Sequence, residues 1–154
     1  PYQPPAEYEL TVVAEPLDEP HGLILGQRIT DNRFLVLLNF KRPQWESPAS
    51  ALENVDGRNV GANATTQHGQ LFEKGRPSQI ICTVRKNSVR VRCDGREVIH
   101  WQGQPSQLSL SDYWSTPHAE ALFLGAYNCR YRFSRVTLRP LSGEGKPLRG
   151  DSTD

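Results

Sequence analysis

The side chains with the most chemical potential fall into two groups. Trp45, Asn63, Gln67 and His68 lie in one irregular stretch, and Arg85, Arg90 and Arg92 lie in two neighbouring strands, with Trp101 ending the strand that follows. Indole faces stack on the C–H faces of sugar rings, while amides, imidazoles and guanidinium groups hydrogen-bond hydroxyls. Trp45, Asn63, His68, Arg85, Arg90, Arg92 and Trp101 are therefore the candidate ligand-binding residues. Their convergence requires the 41–71 segment to cross beside the basic strand face. The competing use of each Trp is to anchor a loop on the core, which is how most Trp are employed.

Catalytic chemistry has little to stand on. No G-x-S-x-G, H-E-x-x-H, Walker A or C-x-x-C occurs. The nearest carboxylate pair is Glu53 and Asp56, and on a continuous strand these would point to opposite faces. Glycoside hydrolysis needs two carboxylates about 5–9 Å apart across the scissile bond. Asp56, Asn59 and Asn63 could offer oxygens to a Ca²⁺ ion, but the spacing is not that of an EF-hand and such clusters commonly just make turns. The four His are scattered without an i, i+4 pair, which argues against zinc. The expectation is a site without catalytic residues, metal or cofactor, with calcium as the one ion the residues could accommodate.

The elements that must position these residues are strands. Residues 79–86, 89–93 and 96–101 read as an antiparallel meander with turns at Asn87-Ser88 and Asp94-Gly95. Alternation puts Ile80, Cys82, Val84, Val89, Val91 and Cys93 on one face and Thr83, Arg85, Arg90 and Arg92 on the other. The register implied by Asn87-Ser88 sets Cys82 opposite Cys93, a separation that permits a disulfide without requiring one. A two-residue Asp94-Gly95 turn leaves Ile99 and Trp101 on the basic face; a three-residue loop bulged at Gly95 buries both.

Upstream, residues 8–15 form a first amphipathic strand. Residues 22–30 and 33–40 form a hairpin around Asp31-Asn32, apolar enough that both faces should be covered or one should line a groove. Residues 41–71 make long loops around a short strand at 51–55. Ser109 or Ser111 caps one helical turn ending at Trp114. Residues 121–127 and 131–141 are the last strands, with a β-bulge at Ser134-Arg135. The first and last strands could pair. The domain thus spans 8–141, between a Pro-rich linker at 1–7 and a polar flexible tail at 142–154. Many short strands and no useful amphipathic helix predict a two-layer antiparallel β-sandwich.

The totals suit one such domain. The chain has 154 residues and a net charge of +1, which conceals an asymmetry. Residues 1–71 carry five Lys/Arg against nine Asp/Glu, and 72–149 carry thirteen against six. A basic half could favour an anionic partner, although outward strand Arg commonly does no more than solvate a surface. Nucleic acid, resting on that excess alone, is the least favoured partner; carbohydrate and protein are preferred. No apolar run approaches the roughly 20 residues of a membrane span. Three Cys leave at least one unpaired within the chain, and redox compartment stays open. The start at Pro1 reads as a piece of a longer multidomain chain.

The run GRPSQIICTVRKNSVRVRCDGREVIHW followed by ALFLGAYNCRYRFSRVTLRPL resembles the second half of concanavalin A-like (laminin G-like) jelly-roll domains. It is especially similar to modules in planctomycete proteins, which are bacterial, and to the domain family named for 3-keto-disaccharide hydrolases. That resemblance implies a two-sheet antiparallel jelly-roll sandwich and an accessory module binding a carbohydrate or another extended polar ligand. A protein-interaction module and a hydrolase of modified disaccharides are its alternatives. The E-x-D-x-x-E strand of laminarinase-like members is absent from this sequence, which weighs against the enzyme.

Overall fold

The computed structural model describes residues 1–148. In chain order its strands are β1 (Tyr2–Gln3), β2 (Glu7–Pro16), β3 (Leu23–Ile29), β4 (Asn32–Phe40), β5 (Ala49–Glu53), β6 (Gln67–His68), β7 (Ser78–Arg85), β8 (Ser88–Cys93), β9 (Arg96–Gln102), β10 (Phe123–Ala126), β11 (Tyr131–Ser142) and β12 (Lys146–Pro147). They build two five-stranded sheets, β11-β2-β7-β8-β9 (the first sheet) and β10-β3-β4-β5-β6 (the second), plus the small pair β1-β12. Every recorded pairing is antiparallel. The chain passes from one sheet to the other four times as it wraps the core, which makes the fold a jelly-roll sandwich, as the resemblance implies.

The inner faces meet in one core. The first sheet contributes Tyr8, Leu10 and Val12, Ile80, Cys82 and Val84, Val89 and Val91, and Ile99 and Trp101. The second contributes Leu23, Leu25, Phe34, Val36, Leu38 and Leu52. One polar bridge crosses between them: the Tyr8 hydroxyl donates to Gln27 Oε1 at 2.8 Å. Burial drives the Tyr8 hydroxyl pKa far above its ordinary value.

The face assignment of β7 and β8 agrees with the expectation, but the register is displaced by two residues. The turn is Lys86-Asn87, so Cys82 faces Val91 and Cys93 faces Ile80. A shift of two preserves side-chain parity, which is why the core residues stayed right while the cysteine pairing did not. Diagonal neighbours on one face lie about 7–8 Å apart, beyond ordinary disulfide reach. All three cysteines are free thiols, and burial pushes Cys82 up to about 12 and Cys93 up to about 11.

Neither option for Trp101 describes β9. Its Asp94-Gly95 turn has two residues, both at positive φ (49° and 80°), and sets Cys93 against Arg96. Arg92 then faces Glu97, but Val91 faces Ile99, so Val98 is an extra residue. That bulge reverses parity within the strand and buries Ile99 and Trp101. Trp101 is a core side chain and leaves the set of ligand candidates.

The chain ends also differ from expectation. Tyr2–Gln3, within the expected linker, pairs with Lys146–Pro147, within the expected tail, and Pro4 and Pro5 are buried. Their pairing follows from β2 and β11 lying side by side, with a register break between Phe133 and Arg135 where the bulge is predicted. Residues 149–154 of the expected tail lie outside the described residues. Among the described residues, no helix is long and apolar enough to cross a membrane.

Candidate functional site

The outer face of the first sheet is polar. Glu9, Thr83, Arg85, Ser88, Arg90, Arg92, His100 and Gln102 line a shallow depression of about 390 Å³ there. Its charges are largely matched: Arg85 lies 3.8 Å from Glu7, Arg90 3.1 Å from Glu97, and Arg139 3.4 Å from Glu9. These are cross-strand and surface ion pairs on an open sheet, each contributing little.

The outer face of the second sheet is apolar. Ile24 from β3, Leu35 and Leu37 from β4, Ala49 and Ala51 from β5, and Val60 form a second buried cluster. Trp45, Leu110 and Trp114 pack on it from the loops, and Phe40 and Phe123 from the ends of β4 and β10. This is the cover that the doubly apolar β3 and β4 demand. Trp45 is its rivet: the ring meets Phe40 edge-on at 6.3 Å and His68 at 5.1 Å, and the Arg42 guanidinium lies 5.0 Å above it. Gly61, at φ +85°, comes so close that a Cβ there would sit 2.9 Å from the indole.

Trp45 and Asn63 therefore belong to the covering loops of the second sheet and His68 to its edge strand β6, whereas Arg85, Arg90 and Arg92 lie on the outer face of the first. Two sheets and a core about 10 Å thick separate the groups, so the expected joint cleft does not form. Loop residues 41–66 go where apolar surface needs covering, and the Arg face offers none.

Asn63 is fully engaged in holding its own loop. Its Nδ2 donates to the carbonyls of Leu52, Arg58 and Asn59, and its Oδ1 accepts from the Thr65 backbone N–H. Asn63 is thus an Asx-type brace of its own loop. Asp56 accepts from the Gln107 side chain at 3.3 Å and does not join Glu53 in the groove described next. Asn59 lines that groove, and its carbonyl accepts from Asn63. Among the described residues, no group of three or more His, Cys, Asp or Glu is arranged to hold a metal ion.

A groove of about 230 Å³ opens in the cover of the second sheet. Its floor is Ile24 and Leu37, its polar groups are Arg42, Glu53 and Asn59, and its aromatic walls are Phe40, Tyr113, Trp114 and Tyr127. Glu53 projects onto this face because it alternates with Ala49 and Ala51 along β5. Its Oε1 accepts from the Val60 N–H at 3.0 Å, which fixes the carboxylate at the rim. Trp114 ends a one-turn 3-10 helix, Asp112–Trp114, whose Ser111 cap accepts from the Tyr113 N–H. Tyr113 is 78% exposed and Tyr127 42% exposed, unusually open for large aromatics.

His21 closes one end of this aromatic wall, with its ring 5.5 Å from Phe40 and 5.2 Å from Tyr127. Its Nδ1 accepts from the Gly22 N–H at 2.8 Å, which requires that nitrogen to be unprotonated. Burial holds its pKa below the ordinary imidazole value; a hydrogen bond with the Lys41 backbone opposes that shift and the Lys41 charge adds to it.

Sequence reasoning placed Trp45 and Trp114 in loops but missed Arg42, Tyr113, Tyr127 and His21. A signal for Arg42 was available: it stands two residues beyond the end of β4, whose outward residues were apolar enough to announce a covered face.

No known family model matches this chain, and no curated protein matches it. Among solved structures it is similar to sheep galectin-11 in complex with glycerol, at 12% identity over 89% of this chain and 92% of that one, with a TM-score of 0.48. The resemblance to planctomycete modules and the 3-keto-disaccharide hydrolase family finds no support in these comparisons. The class of protein is set by strand order and register: a two-sheet antiparallel jelly-roll sandwich carrying a loop-covered second sheet.

Proposed function

We propose that this chain is a carbohydrate-binding module whose ligand seats in the groove over the outer face of the second sheet. One observation carries the reading. Tyr113, Trp114 and Tyr127 stand beside Arg42, Glu53 and Asn59 over an apolar floor, two of the rings being open to solvent. Exposed rings supply stacking surface, and the three polar side chains supply a cation, an anion and an amide for hydroxyl groups. The groove is smaller than the roughly 300–1,000 Å³ of drug-sized sites, which suits one sugar ring with its neighbours in solvent. Among the described residues Glu53 is the sole carboxylate lining the groove, and glycosidic cleavage calls for two, so the reading is binding without turnover.

A glycan array followed by calorimetry tests it. The expected affinity is weak, on the order of 10–1000 μM. Tyr113→Ala and Glu53→Gln should each abolish measurable binding without moving the melting temperature much, while Arg92→Ala on the far face leaves binding intact. An intact domain that binds no glycan overturns the proposal.

A further inference from the structure

We propose that the free edge of β11 is a docking strand for an extended segment of another protein in which apolar and acidic residues alternate. Three observations independent of the sugar groove support this. β11 is the terminal strand of the first sheet and the longest in the fold, at twelve residues, and among the described residues nothing pairs with its outer edge. Its backbone therefore offers unpaired N–H and C=O groups to an incoming strand.

Beside it the sandwich is open. β10 ends the second sheet on the same side, and between the two edges lies an apolar slot of about 470 Å³ lined by Tyr2, Leu10, Leu122, Leu124, Val136 and Leu138. Val136 and Leu138 face inward, opposite Val12 and Leu10, yet Val136 is 50% exposed and Leu124 39% exposed. A strand added to β11 would send every second side chain into that slot.

The alternate side chains of such a strand would meet arginines. Arg132, Arg135 and Arg139 point outward from β11, opposite Glu15, Val13 and Glu9. Arg132 and Arg139 each bond their glutamate, at 3.2 and 3.4 Å, whereas Arg135 has no acidic partner among the described residues. The ladder is regular only across residues 135–140, between two register breaks, so the docking length is about one short strand.

Charge also selects against a second copy. The antiparallel register that joins Val136 to Leu138 of another molecule would set Arg135 across from its Arg139, and directly opposed like charges destabilise a strand pair. Arg, Pro140 and the bulges are the devices by which an edge refuses its own kind, while acidic partners remain admissible.

The probe is a capped heptapeptide alternating Glu and Val, titrated into the full chain and followed by amide NMR shifts. We expect saturable binding, on the order of 100 μM or tighter, with shifts concentrated in β11 and at Leu124. Arg135→Glu should weaken it roughly tenfold or more, as should replacing each Glu of the peptide with Lys. A peptide with proline at its central Val should fail, because proline lacks the N–H that pairing requires. Arg135→Gln serves if Arg135→Glu does not fold. Sugar binding should be unchanged in either variant, so failure here is separable from failure of the proposed groove.

Absence of saturable binding overturns the proposal, as does equal binding of the acidic, basic and proline peptides. Sedimentation showing a dimer that Val136→Arg dissociates would assign the edge to a second copy instead. Dodecanoate filling the slot while the β11 amides stay unmoved would assign it to an acyl chain.

Discussion

The two outer faces of this sandwich are built from strands of the same antiparallel geometry and end in opposite states. On the first sheet, outward positions of β7, β8 and β9 carry Thr83, Arg85, Arg90, Arg92 and His100, and water covers them. On the second, outward positions of β3, β4 and β5 carry Ile24, Leu35, Leu37, Ala49 and Ala51, and the β4–β5, β5–β6 and β9–β10 connections cover them. A polar face is finished when its charges are paired. An apolar face obliges the chain to supply a lid, and a lid made of irregular loops leaves seams. The aromatic groove is such a seam, which is why the binding candidate follows the apolar face rather than the basic one.

The largest test of this contrast compares buried positions with the Arg face. Val91→Asp in the inner core and Leu37→Asp under the loop cover should each destabilise by about 3–5 kcal/mol or prevent folding, because both bury an unpaired carboxylate. Urea denaturation measures it. A Leu37→Asp protein as stable as the parent would show that the loops only rest on the second sheet and form no core.

Next in size is the rivet. Trp45→Ala removes the ring that Phe40, His68 and Arg42 pack against, and should cost about 2–3 kcal/mol, below the range for a fully buried Trp. Gly61→Ala should cost about 1–2 kcal/mol, since it adds a Cβ against that ring at a positive φ. If Trp45→Ala instead abolishes sugar binding with stability unchanged, Trp45 is a ligand platform, and the distinction drawn here between cover and groove fails.

These residues also mark how far the sequence could be read. Side-chain parity was legible throughout 79–93, because alternation depends only on local spacing and survives a two-residue slip. Turn placement was not, since Lys86-Asn87 and Asn87-Ser88 are chemically similar choices and the core tolerates either. The burial of Trp101 hinges on one extra residue at Val98, which no turn residue announces. The path of residues 41–66 was derivable in principle: β4 reads apolar on both faces, and only a Trp-bearing loop remained to cover it.

His21 gives a smaller, pH-dependent test. Its folded pKa lies below the ordinary value, so the unfolded chain takes up its proton first as pH falls. The sign is therefore a loss of stability on acidification, beginning near the unfolded His pKa of about 6.5 and levelling off below the folded one. Protonation also ends acceptance from the Gly22 N–H and places a cation beside Phe40 and Tyr127. Glycan affinity should fall over the same window. His21→Gln should flatten both profiles, and a parent protein whose melting temperature and affinity do not change between pH 7 and 5 would remove His21 from the groove's machinery.

The smallest expected effect is the most discriminating between the faces. Arg85 and Arg90 are roughly half exposed and their ion pairs with Glu7 and Glu97 sit at 3.8 and 3.1 Å in contact with water. Screening and the entropy of holding long side chains reduce such pairs to about 0–1 kcal/mol. Arg85→Ser and Arg90→Ser should accordingly shift stability by about half a kcal/mol or less, and the shift should shrink further in high salt. Neither should alter glycan binding if the ligand sits on the second sheet. The informative failure is specific: Arg90→Ser that leaves stability untouched and removes sugar binding would move the site to the polar face. The aromatic groove would then be no more than a gap in a lid, and the paired charges of the first sheet would be a ligand surface held in readiness by Glu7, Glu9 and Glu97.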